Sequence, residues 1–133
     1  MSDHAAILFA NEAFYLAFSG ADMAAMEAVW ADHEPVTCIH PGWSPLIGRD
    51  VVMDSWQAIL SNGQSPAVTC SNQSAHVTGD VAYVVCYEEI DGSFLVATNV
   101  FVREARVWRM VHHQAGPVPS PPPPEEKDAP ALQ

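Results

Sequence analysis

Residues 67–115 hold four stretches rich in β-branched and aromatic residues, separated by turns too short to contain a helix. "AVTCSNQSAHVT" runs into Gly79-Asp80, "VAYVVCYEEI" into Asp91-Gly92, and "SFLVATNVFVR" into Glu104-Ala105-Arg106, after which "VWRMVHHQA" follows. Asp-Gly between two such runs is a strong signal for a two-residue hairpin, because both turn positions require positive φ. Parallel neighbours would need long crossovers, and none of these connections supplies one. The second half of the chain is therefore expected to form an antiparallel meander.

The first half reads as helices. In "AAILFANEAFYLAF", Ile7, Ala10, Phe14 and Phe18 recur at helical spacing, and Gly20 ends the run. Asp22 is placed to cap a short second helix in which Met23, Met26 and Trp30 share a face. A short strand, "VTCIH", leads through a loop containing Trp43 to Gly48 and a third helix, "RDVVMDSWQAIL". Val52, Trp56 and Ile59 mark its buried face, and Asp50 suits the positive end of its dipole. Three helices followed by a meander make an α+β fold, with the helices across one face of a bent sheet.

With 133 residues, the chain is long enough for one domain. Its formal charge of -11, with five Lys and Arg, argues against nucleic acid or an anionic membrane as partner, since phosphates would be repelled. Cys38, Cys70 and Cys86 are odd in number and lack paired spacing, which fits free thiols and a cytoplasmic setting. No Lys or Arg precedes the apolar N-terminal run, so a secretion signal is not expected, and no run is long enough for a membrane span. Residues 117–133 carry four consecutive prolines and few apolar groups. They are expected to form a disordered, extended tail after a folded domain at 1–116.

"VTCIHPGW…GRDVVMDSWQAIL", "ATNVFVRE" and "WRMVHHQAG" occur in an order that resembles the nuclear transport factor 2-like superfamily. The chain is most similar to its SnoaL-like branch and to the association domain of calcium/calmodulin-dependent protein kinases. The resemblance spans about residues 5–116 and implies a cone-shaped α+β barrel that dimerises through its outer sheet face. Gln114 and Gly116 stand where the superfamily often has His and Ser. Val85, Asn99 and Ala115 stand where the kinase domains carry pocket arginines, so that anion-binding chemistry is not implied. The fold hosts isomerases, cyclases, dehydratases and binding modules, and by itself selects none.

The comparison directs Leu95, Ala97, Asn99 and Phe101 into the cavity, with Tyr83, Val85, Tyr87, Glu89, Val111 and His113 expected beside them. Val84, Val96, Val100 and Met110 are then expected on the outer, dimer-forming face. The expected ligand-binding set is Trp43, Trp56, Tyr83, Asn99, Phe101 and His113: an apolar pocket with a few polar groups. His40 and His113 are candidate general bases, because histidine titrates near neutrality. Asn99 is a candidate for polarising a carbonyl. His40 has a second reading, as a turn residue held extended by Pro41.

Cys38, His40 and His113 do not amount to a convincing zinc set, and neither a metal nor another cofactor is expected. The inward set contains no obvious carboxylate, and Glu89 lies near a hairpin end. Two readings stand. One is a homodimeric module that binds a small hydrophobic ligand without chemistry. The other is an isomerase, cyclase or dehydratase with a histidine base acting on a hydrophobic substrate.

Overall fold

The computed structural model, which describes residues 2–63 and 67–125, has the element order α1 (Asp3–Ser19), α2 (Met23–Val29), β1 (Thr37–Ile39), β2 (Leu46–Ile47), α3 (Arg49–Leu60), β3 (Val68–Thr78), β4 (Val81–Ile90), β5 (Ser93–Glu104) and β6 (Val107–Val118). Ser2 and Asp22 cap α1 and α2, each accepting from a backbone N–H in the first turn. Gly48 opens α3 at φ 101, ψ 146, a conformation essentially closed to other residues. Its N–H donates to the Val36 carbonyl at 2.9 Å, tying the start of α3 to the approach to β1.

The six strands form one mixed sheet in the order β2-β1-β6-β5-β4-β3, curled rather than closed. The meander β3–β6 is antiparallel throughout, as the turn lengths require. β1 adds in parallel to β6, pairing Cys38 with His113. β2 lies within the stretch expected as loop and pairs antiparallel with β1. All three helices contribute buried residues to the core, among them Phe14 and Phe18 from α1, Met26 from α2 and Trp56 from α3.

The face assignment of β4 corrects the expectation. Across the Asp91-Gly92 hairpin Ile90 pairs with Ser93, so Val84 pairs with Asn99, Cys86 with Ala97 and Glu88 with Leu95. Ala82, Val84, Cys86 and Glu88 therefore face the core, while Tyr83, Val85 and Glu89 lie exposed and Tyr87 half-buried on the other face. A second shift occurs on β6. The register slips between the Val100–His112 and Phe101–Met110 pairs, leaving Val111 as an extra residue. Trp108 and Met110 on one side of that bulge, and His113 and Ala115 on the other, are thereby all buried. Val84 and Met110, expected outside, are fully buried.

β6 continues to Val118, paired with Phe94, two residues beyond the expected domain end. Further along, the described part of the proline-rich segment meets the β3 bulge. Asn72, at φ 54, donates its backbone N–H to Glu125 at 2.5 Å and its side-chain amide to the Pro123 carbonyl at 3.0 Å. Residues 126–133, the remainder of the expected disordered tail, lie outside the described residues.

Candidate functional site

The end of β1 builds the first half of the site. His40 follows Ile39, whose neighbour on β6 is Gln114. Pro41 and Gly42 (φ 82) then turn the chain, and the Trp43 N–H closes the turn on the His40 carbonyl at 2.9 Å. Proline followed by a positive-φ glycine is the signature of a type II turn. The turn folds Trp43 back, so its ring meets the His40 ring edge-on at 4.7 Å. Trp43 stays half-exposed while His40 is buried.

α3 supplies the floor beneath His40. Ser55 Oγ donates to the Val52 carbonyl at 2.7 Å, and His40 Nε2 lies 2.9 Å from the same oxygen. A hydroxyl has one proton, and the carbonyl can only accept it, so His40 donates and holds its proton on Nε2. Trp56, one residue on, packs its ring 4.8 Å from His40 and 6.0 Å from His113. Its indole N–H is buried without an acceptor among the described residues. Such a donor costs roughly 1–3 kcal/mol if nothing satisfies it.

The second half is a polar chain inside the apolar core. Asn99 Nδ2 donates to Asn11 Oδ1 at 2.8 Å and to the Tyr15 hydroxyl at 3.2 Å. Asn11 Nδ2 in turn donates to Gln73 Oε1 at 2.8 Å. Asn99 Oδ1 is thereby left to accept from His113 Nδ1 at 2.6 Å. His113 thus carries its proton on Nδ1, and its bare Nε2 lies 4.0 Å from Glu88 Oε2. Tyr15 donates its hydroxyl to that same Glu88 oxygen at 2.6 Å.

Burial decides the charge state of the cluster. Glu88 is 1% exposed, and desolvation raises its carboxyl above the usual range against the opposing hydrogen bond from Tyr15. Desolvation lowers His40 to about 4 and His113 to about 3, the latter helped by the neighbouring His40 and His112. Burial also pushes the Cys38 thiol up to about 12, which disfavours it as a nucleophile. Both imidazoles are therefore neutral near pH 7 and of opposite tautomer, beside a phenol, two amides and a carboxyl that holds its proton to higher pH than a free glutamate. The cluster suits a ligand with an uncharged polar group better than an anion.

Of the sequence-expected residues, His40, Trp43, Trp56, His113 and Asn99 come together here. Phe101 is fully buried two residues beyond Asn99 on the same face. Tyr83 does not join them. It stacks on His76 at 4.8 Å on the opposite face of the sheet, because the hairpin sets the parity of β4. His112 also faces away, with Nδ1 2.6 Å from Thr37 Oγ1.

Sequence reasoning does not single out Glu88, Tyr15, Asn11 or Ser55. Asn11 had left a signal, as a polar residue inside the apolar stripe from Ile7 to Phe18. Glu88 had another, in the pairing rule of a two-residue hairpin. Among the described residues no group of three or more His, Cys, Asp or Glu is placed to hold a metal ion. No helix among them is long and apolar enough to cross a membrane.

A family model described as a SnoaL-like domain matches residues 7–120. A solved structure from Streptomyces avermitilis, described as a candidate dehydratase of the nuclear transport factor 2-like family, is 34% identical with a TM-score of 0.82, covering 89% of this chain and 97% of its own. Another, described as a candidate calcium/calmodulin-dependent protein kinase type II association domain from Thiobacillus denitrificans, is 34% identical with a TM-score of 0.74, covering 83% and 93%. Among curated proteins, the F-box protein SKIP8 of Arabidopsis thaliana is 29% identical over 112 residues, which are 83% of this chain and 48% of that protein. The chain thus spans about half the length of that relative.

Proposed function

The chain belongs to the SnoaL-like domain family, and from that premise we propose that it binds a small, largely apolar molecule bearing an uncharged oxygen. The observation that carries this reading is the unpartnered Trp56 indole N–H beside two neutral histidines. A carbonyl oxygen would give that donor an acceptor, and the surrounding rings would cover the apolar body. Trp43, half-exposed against His40, stands where such a ligand would enter. Asn99 acts here as a positioning residue that fixes the His113 tautomer.

The test is a thermal-shift and calorimetric screen of aryl and alicyclic ketones against their matched carboxylates. Ketones should stabilise the protein and carboxylates should not, and Trp56→Phe should weaken the ketones selectively. If no ketone binds, or if carboxylates bind as well, this reading fails.

A second reading has its own observation. The Glu88 carboxyl, whose hold on its proton burial strengthens, and a bare imidazole nitrogen, His113 Nε2, lie 4.0 Å apart. Elimination of water from a β-hydroxy carbonyl compound needs that pair. The imidazole takes the proton next to the carbonyl while the carboxyl protonates the departing hydroxyl, leaving imidazolium, carboxylate, alkene and water. The candidate dehydratase from Streptomyces avermitilis supports the same class. Loss of turnover in both Glu88→Gln and His113→Asn, with ligand binding retained, would select this reading over simple binding.

The partner we propose is a second copy of the chain, and the setting a reducing, cytoplasmic one that suits the free thiols. Tyr83, Val85 and Val96 lie on the outer sheet face at 43%, 41% and 36% exposure. Two such faces would cover each other.

A further inference from the structure

A second recognition feature lies outside the barrel, between α1, α2 and the β5–β6 hairpin. Ala6, Phe9 and Ala13 of α1 and Ala28 of α2 form its walls, and Val107 and Trp108 close it from the hairpin. The short alanine side chains leave a groove of about 460 Å³, within the roughly 300–1,000 Å³ usual for small-molecule sites. Phe9, at 68% exposure, and Val107, at 47%, leave apolar surface uncovered along it.

The one charged group lining this groove is Arg106. The other three arginines are engaged. Arg49 holds the Glu27, Trp30 and Ala31 carbonyls, Arg103 bridges Asp3 and Asp80, and Arg109 reaches the Ala28 carbonyl and Glu104. Arg106 has no hydrogen bond or ion pair among the described residues. It occupies the second place of the two-residue turn Ala105-Arg106, at φ 71 after φ 51. Glycine or asparagine is favoured at such a position, and a long cationic side chain is held there against local preference.

We propose that this groove binds a small amphipathic monocarboxylate, its apolar chain along the alanines and its carboxylate on the Arg106 guanidinium. Charge complementarity selects the ligand class. An apolar wall with one free, forked donor matches one carboxylate on an apolar body. A chain of net charge -11 also repels anions elsewhere, so the attraction must be local. The site is separate from the interior cluster, whose neutral histidines suit an uncharged ligand, and the two proposals stand or fall independently.

Titrating the full chain with octanoate and, separately, with 1-octanol by amide NMR tests the idea. Octanoate should shift the amides of Ala6, Ala13 and Val107. Arg106→Gln, a change on an exposed turn, should weaken octanoate about tenfold or more and leave octanol unchanged. Ala13→Leu, which fills the groove, should weaken both. Equal binding of the two probes, or indifference to Arg106→Gln, overturns the proposal. So does movement of the groove amides on deleting residues 126–133, which would make the chain's own tail the occupant. Movement with protein concentration alone would make it a second copy, with the same consequence.

Discussion

The Tyr15 hydroxyl donates to Glu88 Oε2 at 2.6 Å across the seam between α1 and β4. Both groups are buried, and with the Asn99–Asn11 and Asn11–Gln73 bonds this contact joins the helical layer to the sheet where the core is most polar. Tyr15→Phe would remove the donor to Glu88 and the acceptor for Asn99 without changing the ring. It is expected to cost about 1–3 kcal/mol in urea unfolding. A loss near zero would mean that the hydroxyl contributes nothing to the fold.

Glu88 keeps its proton in the folded protein at pH values where an unfolded glutamate, with its usual value of 4.5, has lost it. Folding then takes up a proton, so the contribution of this group falls as pH rises above that value. Glu88→Gln has no such titration. Its stability relative to wild type should improve as pH rises above 4.5, by up to about 1.4 kcal/mol per pH unit until the folded pKa is passed. A pH-independent difference, measured by chemical denaturation across that range, would contradict a protonated Glu88.

The histidines act in the opposite sense. The unfolded chain protonates His40 and His113 below about 6.5, while the folded protein holds them neutral down to about 4 and about 3. Stability should fall as pH drops through this window, with a contribution of about 1.4 kcal/mol per pH unit from each. His40→Asn should remove one of the two contributions, which denaturation at several pH values would detect as a shallower acid limb.

The proposed dimer is tested by light scattering: the wild-type chain should be dimeric, and Val85→Lys or Val96→Lys should be a folded monomer with unchanged circular dichroism. Both side chains are more than a third exposed, so a charge there costs the isolated fold little. A monomeric wild type would overturn the proposed dimer, and a variant that remains dimeric would overturn its placement on this face.

Much of the architecture was legible in the chain because its signals are local. Asp22 and Gly20 punctuate the helices, and turn lengths alone dictate the meander. The site was legible in part. His40, Trp56, His113 and Asn99 are legible as candidates, whereas Glu88 emerges only when β4 takes its phase from the hairpin. The Ile90–Ser93 pairing across Asp91-Gly92 fixes that phase and was available from the sequence. The bulge at Val111 and the parallel pairing of β1 with β6 depend on contacts remote in sequence, and no local pattern announces them. Arg106 lay in a turn already recognised, but its significance depends on which arginines find acceptors, and packing alone decides that.

The interior cluster holds two neutral histidines that carry their protons on opposite nitrogens. Nitrogen-15 NMR of the histidine rings, followed from pH 8 to about pH 5, tests it most directly. His40 should be protonated on Nε2 and His113 on Nδ1, with neither titrating in that range. A midpoint near 6.5 for either ring, or the reverse tautomers, would contradict it.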